Sequence, residues 1–233
     1  MTVEDILFAE NNQSLTVMYL ISAVLCSGIA VFFFKLYRSF PSSYVVGLLV
    51  GFAFISFSDL LFASTVGLAT VDESFNALHW FNLFIGLTGF VIIGSVYVFQ
   101  KLDEKKFSGM TKLTTLSLLP ITLILLYVLA ENVQIPSFTY YNEYFRLASV
   151  LAIGYVTFSI LLNKNAKNGR FSILALGFIV LLTSQCFRTF FAIEPTLFAL
   201  YAAGSLKVGS FAIILFALTR KPKTSKSMEK YEK

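Results

Sequence analysis

Seven stretches of apolar residues, each close to the length that crosses a bilayer, limit what this chain folds into. A hydrocarbon core of about 30 Å takes roughly 20 residues of α-helix at about 1.5 Å each. The stretches run Leu15–Tyr37, Tyr44–Val66, Ala77–Gln100, Leu113–Ala130, Glu143–Asn163, Phe171–Ile193 and Pro195–Thr219. The fourth is the shortest, and Pro120 within it predicts a kink, because proline removes a helix hydrogen bond. The predicted fold class is all-α, a seven-transmembrane-helix bundle. Composition agrees: 13% of residues are charged and 26 are Phe, whereas a soluble domain keeps about a quarter of its residues charged.

The links between spans alternate in charge. Those after spans one, three and five, with the tail from Arg220, carry 15 of the 18 Lys and Arg residues, among them Lys35, Arg38, Lys105, Lys167 and Lys221. The opposite side receives Glu4, Asp5, Glu10, Asp72, Glu73, Glu131, Glu143 and Glu194. Basic residues are retained in the cytoplasm. The N-terminus is therefore expected outside and the C-terminus in the cytoplasm, as in a multi-pass protein of the plasma membrane. The net charge of +5 reflects topology on this reading, and no nucleic acid partner is expected. Three segments follow: an extracytoplasmic N-terminal segment over 1–14, the membrane domain over 15–219 and a basic tail over 220–233. The acidic N-terminus has no basic region and no small-residue cleavage site, so the first span is expected to serve as both signal and anchor. The tail is too short and polar to fold alone.

Several chemistries are excluded. One His and two Cys cannot build a Cys/His metal cluster or a haem with two His ligands. There is no HExxH, nucleophile elbow, P-loop or facing pair of Asp residues, so the chain is not expected to be an enzyme.

Ionisable groups at membrane depth are costly and mark candidate functional residues. Lys207 lies about 18 Å into the seventh span, near the midplane, and Asp59 about 10 Å into the second. A lysine at that depth pairs with an acid, lines a wet cavity or is covalently modified. A partly neutral amine is also a nucleophile toward aldehydes. Pairing with Asp59 that merely fixes two helices is the plain alternative. The other charges read as anchors: Arg188 snorkelling outward or pairing with Glu194, and Arg146 pairing with Glu143 at the interface. His79 and Trp80, with Tyr140, Tyr141 and Tyr144, read as an aromatic belt. Ser56, Ser58, Ser64, Thr183, Ser184, Gln185, Ser205 and Ser210 are candidates for hydrogen bonds between helices, and Gly47 and Gly51 form a GxxxG.

The string Ser205-Leu206-Lys207-Val208-Gly209 followed by Phe211, preceded by Glu194-Pro195 at the start of the span, resembles the seventh helix of the microbial rhodopsins. In that family a lysine at this place binds retinal as a protonated Schiff base. The resemblance implies retinal as cofactor on Lys207, with Asp59 or His79 as counterion or hydrogen-bond partner and Trp80, Phe187 and Phe190 near the chromophore. The chain departs from the family at Ala203, where an Asp is usual. It also carries His79-Trp80 in the third span without an Arg or acid, and Phe187, Phe190 and Phe191 where bulky Trp residues clamp the polyene. With no line of acids for a proton path, a sensory role is expected over pumping.

Three functions stay open. One is a small sensor-type protein with retinal on Lys207. The second is a chromophore-free sensor or accessory membrane subunit. The third is a small proton- or ion-coupled transporter using Asp59 and Lys207. The expected partners are the lipid bilayer, a membrane or cytoplasmic signalling protein and further copies of the chain.

Overall fold

The computed structural model describes residues 12–67, 73–101, 142–162 and 169–220. These form six helices: α1 (Asn12–Ser39), α2 (Ser43–Gly67), α3 (Glu73–Lys101), α4 (Asn142–Leu161), α5 (Gly169–Ile193) and α6 (Leu197–Thr219). All six contain a segment long and apolar enough to cross a membrane, and no strand occurs among the described residues. The described residues are all-helical, and the chain is a multi-pass membrane protein. Helices α1, α2 and α3 match the first three expected spans, and α4, α5 and α6 match the fifth, sixth and seventh. The expected fourth span, Leu113–Ala130, lies outside the described residues, as do segment 1–11 and the tail beyond Arg220.

Each helix packs on its neighbour in chain order, and α6 returns to α1, so the six close into a ring. Short links make this possible. Between α5 and α6 the chain turns through Glu194-Pro195-Thr196, and the Thr196 side chain accepts a hydrogen bond from the Ala199 N–H, capping α6. Glycine sets the closest approach, between α2 and α3. A Cβ on Gly89 would lie 2.8 Å from the carbonyl oxygen of Gly51, and one on Gly51 would lie 2.5 Å from Ile93. The GxxxG of Gly47 and Gly51 therefore packs against α3, as small residues do where lipid offers no hydrophobic drive.

The outside of the ring is apolar, with Val24, Leu151, Phe158 and Phe198 all exposed. An apolar surface of this extent suits hydrocarbon rather than water. Inside, side chains fall into two halves. The half toward the ends Ser39, Lys101 and Thr219 is an apolar cluster centred on Ile29, Phe52, Ile93, Ile153, Phe178 and Phe211. It contains a cavity of about 340 Å³ lined by Phe33, Leu48, Tyr97, Phe178 and Ile214 among others. The half toward Asn12, Gly67 and Ile193 holds a smaller apolar cluster around Leu15, Tyr19, Phe62 and Leu200. Between the two clusters lies a belt of buried polar and charged residues.

Candidate functional site

Helical spacing aims the belt inward. In α6 the buried positions Leu200, Ala203, Lys207, Ser210, Ile214 and Ala217 recur every three or four residues, so Lys207 lies on the core face. In α2 the same rhythm through Leu48, Phe52, Ile55, Asp59 and Phe62 turns Asp59 inward. The two meet. Lys207 Nζ donates to Asp59 Oδ1 in an ion pair, and both side chains are buried. Ser22 Oγ of α1 donates to the other carboxylate oxygen at 2.6 Å. Each Asp59 oxygen thus has a donor, which a buried carboxylate requires. The Tyr19 and Phe211 rings flank the ammonium, with Nζ 5.6 and 5.8 Å from their centroids. Such faces attract a cation.

Cations dominate the remainder of the belt. Arg188 of α5 is buried, its guanidinium carbon 5.0 Å from the ring centroids of both Tyr19 and Phe62. Arg146 of α4 is also buried. Both line a small polar cavity together with Ser58, Asn82, Ser149 and Lys207. Ser58 Oγ donates to the Asn82 side-chain oxygen at 2.8 Å, which fixes that amide with Nδ2 on its other side. Asn82 Nδ2, Tyr19 Oη and both amide atoms of Gln185 are buried without a hydrogen-bond partner among the described residues. Further polar contacts tie the helices together: Ser56 to the Ala23 carbonyl at 2.9 Å, Ser27 with Ser56 at 2.7 Å and Ser184 to the Ala203 carbonyl at 2.8 Å.

The structure gathers only part of the residue set drawn from the sequence. Lys207 and Asp59 are joined, and His79 is buried with its ring 5.8 Å from that of Phe62, which also faces Arg188. Trp80 is partly buried and meets Phe145 edge-on. Phe187 is partly buried and packs edge-on against Phe198, an exposed residue. Phe190 is 63% exposed and faces away from the belt, because α5 turns Leu181, Ser184, Gln185, Arg188 and Phe191 inward and leaves position 190 outside.

Two anchors expected from the sequence prove to be interior groups. Arg188 is buried whereas Glu194 is exposed, and Arg146 is buried whereas Glu143 is exposed. Ser64, Thr183 and Ser205 are exposed, whereas Ser56, Ser58, Ser184, Gln185 and Ser210 are buried. Tyr19, Ser22 and Asn82 escaped the sequence reading. Their signal is there in the spacing: Leu15, Tyr19, Ser22, Cys26 and Ile29 share one face of α1, so Ser22 stands in register with core positions.

Compared with known proteins, the chain matches no family model, no curated protein and no solved structure. The fold and the belt therefore define the class alone: a multi-pass helical membrane protein with a charged interior.

Proposed function

We propose that this protein is a small sensor of the plasma membrane, with seven spans, its N-terminus outside and its tail in the cytoplasm, whose signal is registered at the Lys207–Asp59 pair. The bias of 15 of 18 basic residues to one set of links supports the orientation. The observation that carries the functional reading is the pair itself. A lysine and an aspartate from α6 and α2, at membrane depth, bind each other while Ser22 of α1 holds the second carboxylate oxygen. Any change in the charge or bonding of Lys207 acts at once on three helices. That is a local electrostatic trigger coupled to helix position.

Retinal on Lys207 is the form of trigger that the resemblance of the seventh span favours. When bound, it supplies an aldehyde for the amine and a light-absorbing polyene. Lys207 would hold it, Asp59 would neutralise the nitrogen's charge, and Tyr19 and Phe211 would flank it. The fit is at the nitrogen, where a cation already faces a carboxylate held by Ser22. Phe190 faces outward and has no part in it.

The test is a visible absorption spectrum of membranes holding the protein after addition of all-trans retinal, with Lys207→Ala alongside. A band in the parent that the variant lacks is the expected result. In that case Asp59→Asn weakens the visible band at neutral pH, because the nitrogen loses the negative charge that favours its protonation. No band in folded parent protein removes the retinal form and leaves the pair as the trigger of a chromophore-free subunit. Proton flux into vesicles that Asp59→Asn abolishes would replace the sensor reading with transport.

A further inference from the structure

In the apolar half, α1, α2, α3, α5 and α6 leave space between them. The cavity of about 340 Å³ reaches Leu36 in the last turn of α1, Tyr44 in the first turn of α2 and Leu218 in the last turn of α6. From these helix ends it runs inward to Phe52 and Phe178. The rise of α2 from Tyr44 to Phe52 gives it a depth of about 12 Å. Its wall is aromatic, with Phe32, Phe33, Tyr44, Phe52, Tyr97 and Phe178. Tyr44 and Tyr97, whose rings meet edge-on at 6.0 Å, bring two hydroxyls, and the other side chains of the wall are hydrocarbon.

Such a space suits a hydrocarbon chain. Water gains little there, because an internal water needs two to four polar partners. A chain gains contacts with wall atoms that otherwise face a gap. The volume also falls in the range of small-molecule sites, which begins at about 300 Å³. Charge at this end of the bundle has one sign. Lys35, next to Leu36 on α1, and Arg220, at the end of α6, are both exposed, and α1 packs on α6. Among the described residues no acidic one stands at these helix ends; Glu73, Glu143 and Glu194 stand at the opposite ends, and Asp59 lies in the belt.

We propose that this cavity binds one medium-chain fatty acid, with its tail among Phe33, Phe52 and Phe178 and its carboxylate at the rim formed by Tyr44, Lys35 and Arg220. An extended chain advances about 1.2 Å per bond, so about ten carbons fill the depth. A phospholipid brings a second chain, for which the volume has no room. Phe211 separates the site from the charge pair: its ring lies 5.8 Å from Lys207 Nζ on one side and 6.4 Å from the Phe52 ring on the other. The site does not depend on what Lys207 carries, so it stands or falls separately from the retinal reading.

The full chain in neutral phosphatidylcholine nanodiscs is irradiated with decanoic acid carrying a diazirine at its methyl end, and the cross-linked residues are mapped by mass spectrometry. The expected result is labelling at Leu48, Phe52 or Phe178 that saturates and is competed by plain decanoate. A diazirine next to the carboxylate should move the label to Leu36, Tyr44 or Leu218. Exposed charges contribute modestly, so Lys35→Gln combined with Arg220→Gln should raise the half-saturating concentration about threefold. Leu48→Trp, which fills part of the space, should abolish the saturable label; should that variant not fold, Leu174→Phe should weaken it. No saturable interior label in folded parent protein would overturn the site. So would parent-like labelling in the folded filling variant, or an affinity that the paired charge substitutions leave unchanged. Interior labelling from a phosphatidylglycerol with the diazirine on one chain would assign the space to bilayer lipid and overturn the fatty-acid ligand.

Discussion

The two halves of the bundle interior are held together differently. Around Phe52, Phe178 and Phe211 the helices meet through interlocking apolar side chains and close glycine contacts, with Cys26 Sγ to the Phe52 carbonyl as one of its few polar links. Around Asp59 they meet through an ion pair, buried guanidiniums and hydroxyls. Lipid is as apolar as leucine, so the first half gains stability from packing alone, whereas the second is held by directional bonds between groups that lipid cannot solvate. Packing tolerates a smaller neighbour at moderate loss. A charge without its partner is tolerated far less. The polar half is therefore the place where a chemical event can move helices, and the apolar half is the frame they move against.

The difference is largest where one partner of the pair is removed. Asp59→Leu leaves Lys207 buried without the carboxylate it pairs with, and should destabilise the folded state by about 3–5 kcal/mol. The unfolding equilibrium in mixed micelles measures this. Asp59→Leu combined with Lys207→Met should recover most of the loss, because a matched apolar pair needs no desolvation. If the double variant is as unstable as the single one, the polar half is held by something other than this pair.

In the apolar half, Phe178→Ala empties a fully buried site that touches the existing cavity. The same unfolding measurement should give a loss of about 3 kcal/mol, the lower end for aromatic truncation, since contacts are lost but no transfer from water is. Gly89→Ala tests the frame from the opposite direction. Its Cβ would press on the Gly51 carbonyl at 2.8 Å and on Ile55 N at 3.1 Å, both backbone atoms, so the helices must part. Overpacking of this kind costs about 1–3 kcal/mol. A neutral Gly89→Ala would mean that α2 and α3 slide more freely than the rest of the frame.

The halves also differ in how legible they were. The apolar runs marked all six described spans, because hydrocarbon imposes a length that a run of residues either meets or does not. Asp59 and Lys207 stood out because charge at the centre of a span has few resolutions. Arg146 and Arg188 did not, since near a helix end the same residue can reach water or point inward, and length alone does not separate the two. Register does. Arg188 falls three to four residues from Ser184 and Gln185 and seven from Leu181, and Arg146 falls three from Ser149 and seven from Ile153, all of them buried. The same register puts Phe190 outside. Tyr19 and Asn82 show no such signal by type, because both are ordinary at a membrane interface and become informative only once the helices facing them are known.

The smallest effect is the most diagnostic of how the polar half works. Ser22→Ala removes one donor to Asp59 and leaves the ion pair in place. Hydrogen bonds between helices in lipid contribute about 0.6–2 kcal/mol, and the acceptor here is charged, so a loss of about 1–2 kcal/mol is expected. The informative comparison is with the same change in the background of Asp59→Leu and Lys207→Met, where Ser22 has no carboxylate to serve. There Ser22→Ala should be nearly neutral, and the difference between the two backgrounds is the coupling of α1 to the pair. An equal loss in both backgrounds would place Ser22 in the frame with the packing contacts. Full coupling would make α1 a third arm of the charge pair, responsive to whatever alters Lys207.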